Sequence, residues 1–343
     1  MSDIHIRKSG RAGRITLTRP QSLNALTHAM CLAIEAALDQ WATDDDVALV
    51  VLDGDGDRAF CAGGDIADMY RAAINGDYVF GQRFWQDEYR MNAKIFNFPK
   101  PYVAFMHGFT MGGGVGIAGH GSHRVVCENS KISMPECGIG LIPDVGGSLL
   151  LSRAPGRLGE YLGTTGTRMG PGDAIHAEFA DYFVPQEQWP NLIEHLATTG
   201  DYTEIDRVAS AVPDSPLANL QDQINAHFAG ETIADIYRSM AFAPDDFTAS
   251  TEKTLSRNSP LSMACTIELI HRIRNVNSIE RALGQEYRFT HRAAEHADFL
   301  EGIRAAIIDK DHAPKWRHPS VGKLGPSEMH KMLMPLGADA LKL

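Results

Sequence analysis

The sequence predicts an α/β fold of repeated ββα units followed by a largely helical C-terminal region. Three observations predict it. Residues 47–52, VALVVL, form a continuous apolar strand directly after an amphipathic helix, the mark of a sheet covered on both faces. Helical stretches then alternate with short apolar strands as far as about Pro155. Beyond Pro155 the strand patterns stop and helical periods remain.

Taken in order, residues 4–7 and 14–17 alternate apolar and polar side chains around Gly10 and Gly13, which reads as a β-hairpin ended by Pro20. From Thr27, a suitable N-cap, Met30, Ile34, Leu38 and Trp41 recur at helical spacing. Helices are also expected over residues 65–74 and 78–96, strands over 102–106 and 124–127, and a short helix after Gly112. Residues 187–198, 217–229, 232–240, 260–273 and 279–296 read as helices, while 298–343 has no clear period. The expected division is a core over residues 1–200 and a helical region over 201–343.

At 343 residues, 44% hydrophobic and 22% charged, the chain can bury a full core. A net charge of −11 with no block of lysines or arginines argues against a nucleic-acid or anionic-membrane surface. The cysteines, Cys31, Cys61, Cys127, Cys137 and Cys265, show no C-x-x-C spacing, which speaks against a zinc site or a redox dithiol and for a reducing cytoplasm. The N-terminal MSDIHIRKSGRAG lacks the apolar region of a secretion signal, and no stretch reaches the roughly 20 apolar residues that span a bilayer. A chain neither exported nor inserted in a membrane is therefore expected.

Three segments carry candidate chemistry: RAFCAGGDI from Arg58, HGFTMGGGVGIAG from His107, and SMPECGIGLIPDVGG from Ser133. A thioester carbonyl under attack gains negative charge on oxygen, and fixed backbone N–H groups aimed at that oxygen stabilise it. Glycine turns ahead of helices suit this task, because the backbone can come close and a helix start adds positive potential. Either turn alone reads sooner as a plain strand-to-helix connection; the two together, followed by an acidic segment, reverse that and favour the chemical reading. Glu136 stands among Met134, Cys137, Ile139, Leu141 and Ile142, where partial desolvation would raise its pKa and suit it to proton transfer or nucleophilic attack. Asp144 follows eight residues later, ahead of Gly146 and Gly147. The alternative is that Asp144 N-caps a helix starting near Gly147 and that Glu136 is a surface acid. Glu88 lies in a helical stretch and taken alone would belong to a solvated face.

Together these segments resemble the active-site motifs of the crotonase, or enoyl-CoA hydratase/isomerase, superfamily, and within it those of 3-hydroxyacyl-CoA thioester hydrolases. The resemblance implies crotonase-like stacked ββα units, an acyl-CoA-binding core over residues 1–200, and coenzyme A as part of the substrate with no separate cofactor. It places the oxyanion donors at the N–H groups of Ala62 and Gly113, and the catalytic carboxylates at Glu136 and, assisting, Asp144. It also carries substrate contacts onto Glu88, Gly64, Asp65 and Gly112. Whether Glu136 is nucleophile or general base stays open. SPLSMACTIELI, EYRFTHRAAEHADFLEGIRAAIIDKDHAPKW and the closing GADALKL resemble the same hydrolases. The likeness thus spans nearly the whole chain, weakest between about Pro185 and Thr254. Helical C-terminal regions in the superfamily often build oligomers, which leaves a homo-oligomer of unstated size as the expected assembly.

One departure bears on the reaction. In the superfamily's hydratases a second catalytic glutamate stands three residues beyond the oxyanion glycine, where this chain has Gly116. Glycine moves no proton, so two-glutamate hydration loses support while thioester hydrolysis keeps its groups. A hydratase or isomerase, or a non-catalytic acyl-CoA-binding protein, remain the alternatives. Other chemistries have less behind them. Gly114, Gly116 and Gly119 spell the dinucleotide-binding G-x-G-x-x-G, but the next strand comes too soon for a crossover helix. There is no G-x-S-x-G elbow. Cys61 and Cys137 read as buried structural thiols, and His291 and His296 are five residues apart, off the spacing of a zinc pair, so no metal is implied.

Overall fold

The structure, a computed structural model, describes residues 3–343. The chain divides into two compact units, the first made of Met1–Gly64, Asp87–Ser133 and Arg168–Ala218, the second of Asp65–Gln86, Met134–Thr167 and Asn219–Leu343.

Every strand among the described residues belongs to the first unit. β1 (Ile4–Ser9) and β2 (Ala12–Leu17) form the expected antiparallel hairpin, with Ile4 opposite Leu17. β2 then pairs in parallel with β3 (Leu49–Gly54). The chain continues through β4 (Ala59–Cys61), β5 (Tyr102–Met106), β6 (Phe109–Met111), β7 (His123–Val126), β8 (Lys131–Ser133) and β9 (Tyr182–Phe183). The large sheet runs β1-β2-β3-β5-β7-β9 and is parallel from β2 onward; a small parallel sheet runs β4-β6-β8. β3, β5 and β7 each hand the chain to a strand of the small sheet, so each ββ step divides its two strands between the two sheets.

Both faces of β3 and β5 are covered. Leu49, Val51, Val103, Phe105 and Val125 pack in one cluster with Trp189, Leu192 and Leu196 of the helix Trp189–Thr199. The alternate residues Val50, Leu52 and Ala104 are equally buried, which is why these strands read as continuous apolar runs rather than alternating ones. Helix α1 (His28–Trp41) begins as expected: the Thr27 side chain accepts from the Met30 N–H at 3.3 Å, and Met30, Ile34, Leu38 and Trp41 are buried.

The small sheet was not foreseen, because three-residue strands are too short to show a period. The expectation that strands stop after Pro155 is corrected by β9, two residues that pair with Val125 and Val126 of β7.

In the second unit, α2 (Ala67–Ile74) comes first, and α3 (Val79–Phe96) begins there. After α4 (Gly113–Ala118) of the first unit come α5 (Gly147–Arg153) and α6 (Leu158–Thr165) of the second. The helices Pro260–Ile273 and Ile279–His296 match their expected bounds. Helix Pro260–Ile273 is buried over most of its length, and a Cβ on Gly163 of α6 would lie 3.0 Å from Thr266 Cγ2, so that glycine permits the close crossing. Among the described residues no helix is long and apolar enough to cross a membrane.

Candidate active site

Two of the three motif segments follow the ends of neighbouring strands. β4 ends at Cys61 and leads into Ala62-Gly63-Gly64; β6 ends at Met111 and leads into Gly112-Gly113. These strands pair in parallel, so their carboxyl ends lie side by side. Each turn contains a glycine with a backbone most residues avoid, Gly63 at φ +113° and Gly112 at φ +48°. Gly64 and Gly113 follow them directly. A Cβ built on Gly113 would lie 3.3 Å from the Gly64 nitrogen and 2.9 Å from Glu88 Oε1. Gly64, Gly113 and Glu88, expected as site residues from distant parts of the sequence, therefore meet in the first unit.

The donor assignment needs one correction. The Ala62 N–H donates to the Leu23 carbonyl at 3.0 Å and is committed to holding the turn. Gly64 sits in a parallel bridge with Leu26 in which the Leu26 N–H donates to the Gly63 carbonyl, so the Gly64 N–H is turned away from that partner. Gly113 is the first residue of α4, where a helix leaves its N–H groups without an intrahelical acceptor. The backbone thus leaves the Gly64 N–H available as a donor, together with the first-turn N–H groups of α4, that of Gly113 among them.

Glu88, on α3, is 3% exposed, against the solvated face that its helix alone suggests. Gly112 and Gly116 belong to the same turn and helix; the Gly116 N–H donates to the Gly112 carbonyl at 3.0 Å. Gly114 and Gly116 lie inside α4, and Gly119 at its end, rather than in a dinucleotide-type turn. A Cβ on Gly114 would come within 2.2 Å of the Cys61 carbonyl oxygen, so glycine there seats α4 against β4.

Glu136, Asp144 and Asp65 belong to the second unit. Asp65 is half-buried just ahead of α2. Glu136 is 4% exposed, not a surface acid, and opens a tight 3-10 turn, Glu136–Ile139. Its neighbours hold that turn: the Cys137 thiol donates to the Gly163 carbonyl at 3.3 Å, and the Ser259 N–H donates to the Cys137 carbonyl at 2.9 Å. Gly140 and Gly302 pack against the backbone of Asp298 and Ile139 so closely that a Cβ at either would collide.

Asp144 is 4% exposed and does not cap α5; the residue at the cap is Gly146. The cap is supplied by Glu286, a fully buried residue of helix Ile279–His296 that sequence reasoning missed. Its carboxylate accepts from the Gly146 N–H at 2.8 Å, from the Ser148 N–H at 2.9 Å and from the Ser148 hydroxyl. Burial pushes its pKa up to about 7, against the pull of Ser148 and Gly146, and the negative charge of Asp144 adds to the rise. The turn it braces contains Val145 at φ +53°, a rare conformation for a β-branched residue. The signal for Glu286 was present: an acid in the stripe of Ile279, Leu283, Thr290 and Ala293, on the apolar face of an amphipathic helix.

Residues 12–333 match the family model described as enoyl-CoA hydratase/isomerase, and the chain belongs to that family. Among its relatives, one from Xenopus laevis named "3-hydroxyisobutyryl-CoA hydrolase, mitochondrial" is 37% identical, over 98% of this chain and 90% of its own length. The crystal structure of an enoyl-CoA hydratase from Rhodobacter sphaeroides superposes with a TM-score of 0.95 at 53% identity, covering all of both chains. That of a carnitinyl-CoA dehydratase from Mycobacterium thermoresistibile gives 0.94 at 38% identity, over 98% of this chain and 97% of its own.

Proposed function

We propose that the protein is an acyl-CoA thioester hydrolase that converts 3-hydroxyisobutyryl-CoA, or a close 3-hydroxyacyl-CoA, and water into the free hydroxy acid and coenzyme A. The N–H groups of Gly64 and Gly113 bind the thioester oxygen, with Gly112 and Asp65 flanking them on the substrate, and stabilise the charge it gains as the tetrahedral species forms. Glu136 supplies the carboxylate that attacks the carbonyl carbon or takes the proton of the attacking water; both routes give the same products. Asp144 assists by orienting the reacting groups and delivering a proton to the departing thiolate. Glu88, buried against Gly113, accepts from the hydroxyl of the acyl chain. No cofactor enters this scheme, since coenzyme A arrives with the substrate.

The observation that carries hydrolysis over hydration is Gly116, which leaves α4 without the second carboxylate that hydration requires. Whole-length relatives named as hydrolases support the same choice. The second reading, an enoyl-CoA hydratase, is favoured by the 53% identity to the Rhodobacter sphaeroides hydratase. Thiol release from a panel of acyl-CoAs with and without a 3-hydroxyl tests the proposal: the hydroxylated chains should be cleaved preferentially, and in Glu88→Gln that preference should shrink. Equal rates on acetyl-CoA would remove Glu88 from its role. The cytoplasm as compartment belongs to the same reading and is supported by five free, buried thiols. So does a homo-oligomer, supported by Ile74, Val79 and Phe80, apolar and exposed near one another in sequence.

A further inference from the structure

The second unit holds a cavity of about 830 Å³ whose wall includes Gly138 of the Glu136 turn but none of the groups assigned to the thioester chemistry. Arg257, just ahead of helix Pro260–Ile273, lines it with His312, Lys315 and Trp316, and no carboxylate does. Arg257, His312 and Lys315 are exposed, and their side chains form no ion pair or hydrogen bond among the described residues. In a chain of net charge −11 this is a local reversal of sign. The acids near by are committed to other partners. Glu301, Asp309 and Asp311 all pair with Arg304, and Asp311 also accepts from the Ala313 N–H at 2.9 Å. Asp298 accepts from the Ser259 hydroxyl at 2.6 Å and the Arg317 N–H at 2.9 Å.

The wall is held in shape by the chain itself. Residues 310–316 form neither helix nor strand, yet the Lys315 N–H donates to Glu301 Oε1 at 2.6 Å and the Trp316 indole N–H donates to the Arg257 carbonyl at 3.0 Å. A wall fixed in this way loses little ordering entropy on binding. The second bond ties Trp316 to Arg257 and spends the only donor of the indole, so the half-buried ring offers the cavity a flat apolar surface. Two permanent cations match a phosphate monoester, whose charge is about −2 at pH 7; a carboxylate would leave one of them unmatched. Guanidinium and ammonium groups both suit phosphate oxygens, and the His312 ring adds a further donor. A cation would meet only repulsion. A bare phosphate would leave Trp316 and most of the space unused, whereas a flat ring carried on the phosphate would stack on the indole.

We propose that this cavity binds a nucleoside monophosphate, with its phosphate held by Arg257 and Lys315 and its base stacked on Trp316, at a site separate from the one that turns over substrate. The test is a calorimetric titration of the full-length protein with AMP, and with adenosine and inorganic phosphate as contrasts, paired with tryptophan fluorescence. Trp41, Trp85 and Trp189 are buried, so a fluorescence change that AMP causes and that vanishes in Trp316→Phe reports this cavity. AMP should bind saturably and about tenfold or more tighter than either fragment. Arg257→Gln and Lys315→Gln, surface changes that should leave the melting temperature unaltered, should each weaken AMP binding about fivefold or more, whereas Lys323→Gln, off the wall, should not. Saturating coenzyme A should leave the affinity for AMP unchanged. No saturable binding of AMP, adenosine or phosphate binding as tightly as AMP, unchanged affinity in both charge variants, a fluorescence change that persists in Trp316→Phe, or displacement of AMP by coenzyme A would each overturn the proposal.

Discussion

Replacing Gly113 with alanine puts a methyl group into the most crowded part of the proposed oxyanion site. Its carbon would lie 2.9 Å from Glu88 Oε1 and 3.3 Å from the Gly64 nitrogen. Ordinary heavy-atom contact begins at about 3.5 Å, so the carboxylate or the Gly113 peptide must move by about half an ångström. A catalytic constellation tolerates about that much before it loses function, and losing one oxyanion donor costs about 3 kcal/mol, a hundredfold or more in rate. The expected result is a fall in kcat/KM of about a hundredfold with an unchanged melting temperature, because α4 and the small sheet gain no other collision at this position. Steady-state thiol release measures it. Turnover within threefold of wild type in a normally folded Gly113→Ala protein would refute the placement of the donors. Gly64→Pro, which deletes the other N–H, should fail comparably; full activity there in a folded protein would return the second donor to some other group.

Glu136→Gln keeps the shape of the side chain and removes its ionisable group, so kcat should fall at least about a hundredfold with a much smaller change in acyl-CoA binding. Asp144→Asn should also slow turnover, and the double variant should lose less than the product of the two single losses, because both groups act on one step. Glu286 makes a prediction about stability. The folded protein holds its proton up to about pH 7, while the unfolded chain releases it near 4.5, so this group's contribution falls by about 3 kcal/mol as pH rises across that window. Denaturant unfolding at both ends of the window should show Glu286→Gln lacking that share of the pH slope; identical slopes in the two proteins would contradict it. Burial also pushes the Cys61 and Cys137 thiols up to about 12, so the native enzyme should not react with a thiol reagent at pH 8, whereas the unfolded chain should expose all five cysteines.

Long, periodic elements were legible in the sequence. Helices α1, Pro260–Ile273 and Ile279–His296 carry apolar stripes many turns long, and β3 and β5 are apolar runs bounded by turn residues. The small sheet escaped because β4, β6 and β8 hold three residues each, yet it brings Gly64 beside Gly113. The resemblance pointed to two loops that the small sheet sets side by side; it placed the first donor at Ala62 rather than Gly64 because which N–H is free depends on the bond from Ala62 to Leu23, a tertiary contact about 40 residues apart in sequence. Glu88 and Glu136 are buried by partners distant in sequence, so their local surroundings alone left them ambiguous. Glu286 shows the converse: a charge on an apolar face was visible, but not the α5 terminus that it caps.

The central claim is that this family member cleaves a thioester rather than hydrating a double bond, and one preparation assayed in two channels tests it most directly. Thiol release from 3-hydroxyisobutyryl-CoA and 3-hydroxypropionyl-CoA is followed alongside the loss of enoyl absorbance from crotonyl-CoA. With Gly116 in α4 and no second carboxylate there, thiol release should far exceed hydration. Efficient hydration of crotonyl-CoA with no thiol released from either hydroxyacyl-CoA would contradict the account and make the protein a hydratase.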